Sequence, residues 1–253
     1  MQDPVVVGVD ASAAGRAAVR LAAREAVSRG STLKIIHAFT WHEPTGYAPA
    51  RGAASRVVKE AVAYAQRSTP GVDARGQLRD GPPGRVLTFF SRAASLLVVG
   101  GDGLARLGSG SVVQDLVPDA WCPVLLARGP RPPTGPVVAA VDGSEFSLLA
   151  LRFAIREAEL RGSRLIAVQV TPTGEASPAV VKIVEDSPAR LRVLAGPPGA
   201  TLVRATRRAG LIVLGPRGEG GARRLGSVAC EVLRSGSSPA AFAHAGTSAN
   251  AGW

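Results

Sequence analysis

The sequence is poor in the residues that usually make chemistry conspicuous. It holds two cysteines, three histidines and one methionine, and aromatic residues make up 4% of the chain. Two cysteines cannot build a disulfide framework. Cys122, just before Pro123 and an apolar run, and Cys230, in a short helical pattern, read as buried thiols. His37, His42 and His244 are too scattered to form a metal cluster, and His37, on a strand, reads as a packed ring. The apolar runs are short, as in Val5 to Val9, Leu96 to Val99 and Leu211 to Leu214. None approaches the roughly 18 residues that a membrane span needs. Met1 is followed by Gln2 and Asp3 rather than by a basic and then an apolar stretch. No membrane association, no secretory signal and a cytoplasmic location are therefore expected.

Lysine is scarce too. Only Lys34, Lys59 and Lys182 accompany the arginines that make up the rest of the 30 basic residues, against 19 acidic ones, for a net charge of +11. The excess is spread evenly over both halves, with no basic tail and no arginine run interleaved with aromatics. No helix-turn-helix or zinc-finger pattern is visible, so specific nucleic-acid recognition is not expected. A positive surface of this kind attracts anionic small molecules as well as polyanions.

What the sequence does have is a repeat. Val5-Val-Val-Gly-Val-Asp10-Ala-Ser12 is echoed by Val137-Val-Ala-Ala-Val-Asp142-Gly-Ser144, 132 positions on. Gly81-Pro-Pro-Gly84 returns as Gly196-Pro-Pro-Gly199, and Leu97-Val-Val-Gly100 as Ile212-Val-Leu-Gly215, both 115 positions on. The order of elements is kept while one internal segment shrinks. That is the mark of a duplicated domain rather than of a short-period solenoid. The proline- and glycine-rich stretch Arg128 to Pro136 reads as a stiff linker, which places the domains at 1–130 and 134–245.

Each half alternates strand and helix signals. In the first, strands are expected at Val5–Val9, Thr32–Ala38, Asp73–Leu78, Leu96–Val99 and Val124–Leu126. Helices are expected at Ala13–Arg29, Ala53–Arg67, Arg85–Ser95 and Ser111–Pro118. The second half repeats this with its second helix cut to Ala176–Glu185. Continuous β-branched runs separated by helices predict α/β domains with parallel, doubly wound sheets. In such sheets ligands bind beyond the carboxyl ends of the strands, where strand order reverses.

Asp10 and Asp142 stand at that place, each directly after an apolar strand. Two readings are open for them: a hydrogen-bond acceptor for a ligand's hydroxyl or base, or a turn residue before the next helix. Ser12 and Ser144 read as helix caps. The loop after the fourth strand is glycine-rich in both halves. It runs from Gly100 through Gly103 to Gly110-Ser111-Val112, and from Gly215 through Gly218 to Gly226-Ser227-Val228. Glycines let backbone amides approach an anion, and a Gly-Ser pair opening a helix adds a hydroxyl and the positive helix end. Together they suggest a phosphate cradle. No P-loop motif occurs, and no glycine-rich turn follows the first strand, which argues against a P-loop ATPase and a dinucleotide oxidoreductase. No catalytic residue set and no metal-binding carboxylate cluster stand out.

Taken in order, Val-Gly-Val-Asp10, His37-Ala38, Leu97-Val-Val-Gly100, Gly110-Ser111-Val112 and Ala120-Trp-Cys-Pro-Val124 resemble the universal stress protein family, in its tandem-domain, UspA-like form. The resemblance covers about residues 3–128 and 136–244. It implies two Rossmann-like five-stranded sheets of order 3-2-1-4-5 and, in many members, binding of ATP or AMP, with Mg2+ only as the nucleotide's companion. Carried over, Asp10 would hold the ribose or adenine edge and Val9 and Ala38 would meet the base through their backbones. Gly100, Gly103, Gly110 and Ser111, with Val112 behind them, would surround the phosphates. The corresponding positions of the second half are Asp142, Val141, Val170, Gly215, Gly218, Gly226, Ser227 and Val228.

Both loops are shorter than the family's Gly-x2-Gly-x9-Gly-Ser/Thr signature, with six residues between Gly103 and Gly110 and seven between Gly218 and Gly226. The resemblance further implies pairing of the two halves through their fifth, edge strands, compatible with a homodimer of the whole chain. A stress-response protein that acts by binding or regulation, with a regulatory protein as partner, is the expected function. A ligand-free scaffold of the same fold and a slow ATPase are the alternatives.

Overall fold

A computed structural model describes residues 2–41, 43, 45–101, 112–129, 134–216 and 225–244. The chain divides into two compact units, with the break between Ala127 and Arg128.

The first unit carries β1 (Val5–Gly8), α1 (Ala13–Ser28), β2 (Leu33–Phe39), α2 (Tyr47–Ser68), β3 (Ala74–Asp80), α3 (Pro83–Ser91), β4 (Leu96–Gly100), α4 (Val112–Asp119) and β5 (Val124–Ala127). All its strands are parallel and ordered β3-β2-β1-β4-β5. The expected order 3-2-1-4-5 is therefore found. Val5, Val6, Val7, Leu97 and Val98 are fully buried, because β1 and β4 have strands on both sides and helices over the sheet. α1 packs with α2, and α3 with α4. At Gly8 a Cβ would stand 2.7 Å from a methyl of Leu87 on α3, so the helix seats directly on the strand.

The second unit repeats the plan with β6 (Val137–Ala140), α5 (Glu145–Arg161), β7 (Leu165–Thr171), α6 (Pro178–Glu185), β8 (Arg190–Ala195), α7 (Pro198–Ala205), β9 (Leu211–Leu214), α8 (Ser227–Ser235) and β10 (Ala240–Phe242). Its strands are parallel in the order β8-β7-β6-β9-β10. Arg128 closes this unit from its amino end. Its guanidinium donates to the carbonyls of Val232 (2.9 Å), Leu233 (2.5 Å) and Ser238 (3.2 Å), satisfying the carboxyl end of α8.

Three expectations need correction. α2 begins at Tyr47 rather than Ala53. Pro49 does not stop it, because a first-turn residue has no intrahelical N–H bond to lose. α3 ends at Ser91 instead of reaching Ser95. There the ladder tightens, with Arg92 and Ala93 donating to Phe89 and Phe90, and the Ser91 hydroxyl turns back to the Thr88 carbonyl at 2.7 Å. Cys230 is half-buried rather than buried, its thiol facing the Leu225 carbonyl at 3.8 Å. Among the described residues no helix is long and apolar enough to cross a membrane.

Cys122 is buried, and burial pushes its thiol from the ordinary 9.0 up to about 12. A neutral thiol is a poor nucleophile. Ellman's reagent on the native protein at pH 8 is expected to react promptly at Cys230 alone, with Cys122 following only on unfolding. Because the unfolded chain alone ionises this thiol between 9.0 and about 12, Cys122 makes stability fall as pH rises through that window. Chemical denaturation at stepped alkaline pH checks the sign, and a Cys122→Ser comparison isolates the residue.

Candidate functional site

In the first unit the chain runs β1→β2→β3 to one side and then crosses to β4 and β5 on the other, so strand order reverses between β1 and β4. A crevice at the carboxyl ends of the strands follows from that reversal. Val9 and Asp10 emerge there. The Val9 N–H donates to the Ile36 carbonyl at 2.9 Å, and the Nδ1–H of His37 donates to the Val9 carbonyl at 2.7 Å. Asp10 is exposed. Its Oδ1 accepts from the Ser12 N–H at 3.0 Å and from the Ser12 hydroxyl, while Ser12 caps α1 by accepting from the Gly15 N–H at 3.0 Å. Of the two readings open for Asp10, the turn reading describes one oxygen. Oδ2 makes no hydrogen bond among the described residues.

Two glycines make this arrangement fit. A Cβ at Gly15 would stand 2.6 Å from Asp10 Oδ1, and one at Gly100 would stand 2.7 Å from the carbonyl carbon of Ala14. The first turn of α1 therefore closes simultaneously on Asp10 and on the end of β4. Gly100 serves that close approach. Arg16, exposed on the same turn, lays its guanidinium against the Ala11 carbonyl at 3.5 Å.

Ala38 completes the edge. The Ile36 carbonyl bonds toward β1, and the Phe39 carbonyl bonds the other way, to the Gly81 N–H at 2.9 Å. Pairing with β1 stops at Gly8 opposite Ile36. By strand alternation the backbone groups of Ala38 turn toward the space beyond the end of β1, beside Asp10. Val112 opens α4. Gly103, Gly110 and Ser111 lie outside the described residues. The Val9 N–H and carbonyl each have a partner inside the fold, and the backbone groups of Ala38 face the crevice.

The second unit has the same edge with different side chains. The Val141 N–H donates to the Val168 carbonyl at 3.0 Å, and Val170 takes the place of Ala38 on β7. Asp142 is exposed, its Oδ1 accepting from the Ser144 N–H (3.0 Å) and hydroxyl (2.6 Å), and Ser144 caps α5 through the Ser147 N–H at 3.2 Å. The Gly226 N–H donates to the Pro216 carbonyl at 3.0 Å, which brings the start of α8 to the end of β9 beside Gly215. Ser227 is exposed in the first turn of α8 and Val228 is half-buried behind it. Gly218 lies outside the described residues.

Sequence reasoning missed Gly15, the His37 bond to Val9 and the Arg16 contact. A glycine at the third position of an otherwise alanine- and arginine-rich helix was the available signal for the first. Replacing Gly100 by valine is expected to destabilise the fold by about 1–3 kcal/mol, because backbone rather than a flexible side chain meets the new atoms. Ser12→Ala should cost about 1 kcal/mol through loss of the cap. Urea unfolding midpoints at constant m-value check both.

Three comparisons bear on this edge. A model of the universal stress protein family matches residues 1–128 and 134–195. A universal stress protein of Mycobacterium tuberculosis (strain ATCC 25618 / H37Rv) is 31% identical, over 94% of this chain and 96% of that one. Another, of Mycolicibacterium smegmatis, is 28% identical over 93% of this chain and 95% of that one. Among solved structures, a universal stress protein from Archaeoglobus fulgidus DSM 4304 superposes with a TM-score of 0.80 at 18% identity, covering 97% of this chain and 100% of that one. That structure shares the fold. With a duplicated 3-2-1-4-5 sheet, an aspartate at the end of each first strand and a family match over most of its length, the chain belongs to the universal stress protein family.

Proposed function

We propose that the protein binds an adenine nucleotide at the carboxyl edge of its sheet and acts by that binding rather than by fast catalysis. The observation that carries this reading is the placement of Asp10 and Ala38 past the last paired residues of β1 and its neighbour β2. An exposed carboxylate with a free oxygen stands next to backbone groups that the strand ladder leaves facing the crevice. A carboxylate accepts from the two hydroxyls of a ribose, and a backbone donor and acceptor side by side fit the edge of an adenine base. The phosphates then extend toward the end of β4, where the glycine-rich loop leads into α4. Arg16, on the rim of the β1–α1 turn, adds positive charge to that side of the crevice. The chain's net charge of +11 favours the encounter with a polyanionic ligand. Mg2+ would come with ATP, bound through its phosphates.

Family membership supports a role in which the occupied state is read by another protein. Purified protein titrated with AMP, and with ATP plus Mg2+, is expected to bind saturably and to release phosphate no faster than a buffer control. Absence of binding to both nucleotides would contradict the reading, and turnover abolished by Asp10→Asn would replace it with an enzymatic one.

A further inference from the structure

We propose that nucleotide binding is confined to the first unit, and that in the second unit the chain's own α6 takes the place of the base. The inference rests on the adenine-nucleotide reading and assigns it to one of two equivalent edges. The two units share their core and their aspartate–serine turns, so the difference between them lies in what stands beside those turns.

In the second unit the strand-following segment folds down onto the crevice. The Gln169 side chain, buried on β7, bonds twice to Ser177, the cap of α6: its Nε2 donates to the Ser177 hydroxyl at 2.9 Å, and its Oε1 accepts the Ser177 N–H at 3.0 Å. This clamp ties the start of α6 to β7, near the turn that follows β6. A Cβ built on Gly143, the residue after Asp142, would stand 3.7 Å from the Ala179 side chain and 3.8 Å from Val180, which is fully buried. Apolar atoms of α6 thus stand beside the residue that follows Asp142, on the side of the turn where we place the base in the first unit.

The described residues of the first unit show no such clamp. His37 occupies the position of Gln169 and turns instead to the Val9 carbonyl. α2 starts with an exposed turn, Tyr47, Ala48 and Pro49, and Ala11, the counterpart of Gly143, is exposed.

The β–α turns differ in the same direction. Position 15 is glycine in the first unit, and the carboxylate of Asp10 sits where its side chain would be. The counterpart is Ser147, whose hydroxyl accepts the Gly143 N–H at 3.1 Å and donates to the Ser144 carbonyl at 2.8 Å. Those bonds tie off a backbone donor that the equivalent turn of the first unit leaves to other uses. Arg16 is matched by Leu148, so the second β–α turn carries no cation at that position. Shape and backbone polarity favour the first edge for a nucleotide.

The test uses the full chain and two single variants, Asp10→Asn and Asp142→Asn. Asparagine keeps an acceptor for the capping serine, so both turns survive, and circular dichroism verifies the fold. Calorimetry with AMP is expected to show one site in the unmodified chain. Asp142→Asn should leave affinity within about twofold, and Asp10→Asn should weaken it about tenfold or more, the scale of a lost charge-assisted hydrogen bond. Photolabelling with 8-azidoadenosine monophosphate, mapped by peptide mass spectrometry, should mark only residues before 128. Two sites, or binding that survives Asp10→Asn and is lost in Asp142→Asn, or label in the second unit, would overturn the proposal while leaving nucleotide binding intact. No binding in the unmodified chain would remove the nucleotide reading and this assignment with it.

Discussion

Burial of the central strands on both faces is the constraint on which the rest depends. β1 and β6 are each flanked by strands on both sides and covered by helices, so no polar side chain is tolerated along them. The first place where a charge can stand is two residues past the strand, after a valine that is still buried. Asp10 and Asp142 stand there, each held by a serine that also starts the following helix. One short segment therefore ends the strand, caps the helix and presents a carboxylate where strand order reverses. The position of the candidate site is a consequence of how the core is built.

The two units show which parts of this frame tolerate change. α1 carries Glu25 paired with Arg29, and α5 carries Glu157 paired with Arg161, both carboxylates buried and at equivalent positions. Removing either arginine would take a cationic partner from a buried carboxylate, which is destabilising. Such pairs hold a helix in one setting on the sheet, and both units keep them. The carboxyl edge is treated differently. There Gly15 becomes Ser147, Arg16 becomes Leu148 and His37 becomes Gln169, while the second helix shrinks from Tyr47–Ser68 to Pro178–Glu185. A duplicated sheet thus carries two carboxyl edges lined by different side chains.

Much of the frame was legible in the sequence because it is written in period and repetition. The buried runs at Val5, Leu96 and Leu211, the serine caps and the repeated Val–Asp–Ser segment each have one physical reading, and the strands fall within a residue or two of where those runs place them. Helix ends were less legible. The second helix was placed from Ala53, whereas α2 starts at Tyr47 with Pro49 in its first turn, and the apolar face of α3 continued past Ser91 although the hydrogen bonds there had already tightened into a turn. The positions of Asp10 and Ala38 near strand ends were legible. The bond from His37 to the Val9 carbonyl, 28 residues apart, and the clamp between Gln169 and Ser177 were not. Contacts between side chains on separate elements leave no periodic trace.

A crystal structure of the full chain grown with AMP addresses the central claim most directly. Density for the ribose against the Asp10 carboxylate, with the base edge meeting the backbone of Ala38, is the expected result. A crevice at Asp10 that stays empty at saturating AMP, or one filled by the protein's own loop, would contradict it and leave the duplicated fold without its ligand.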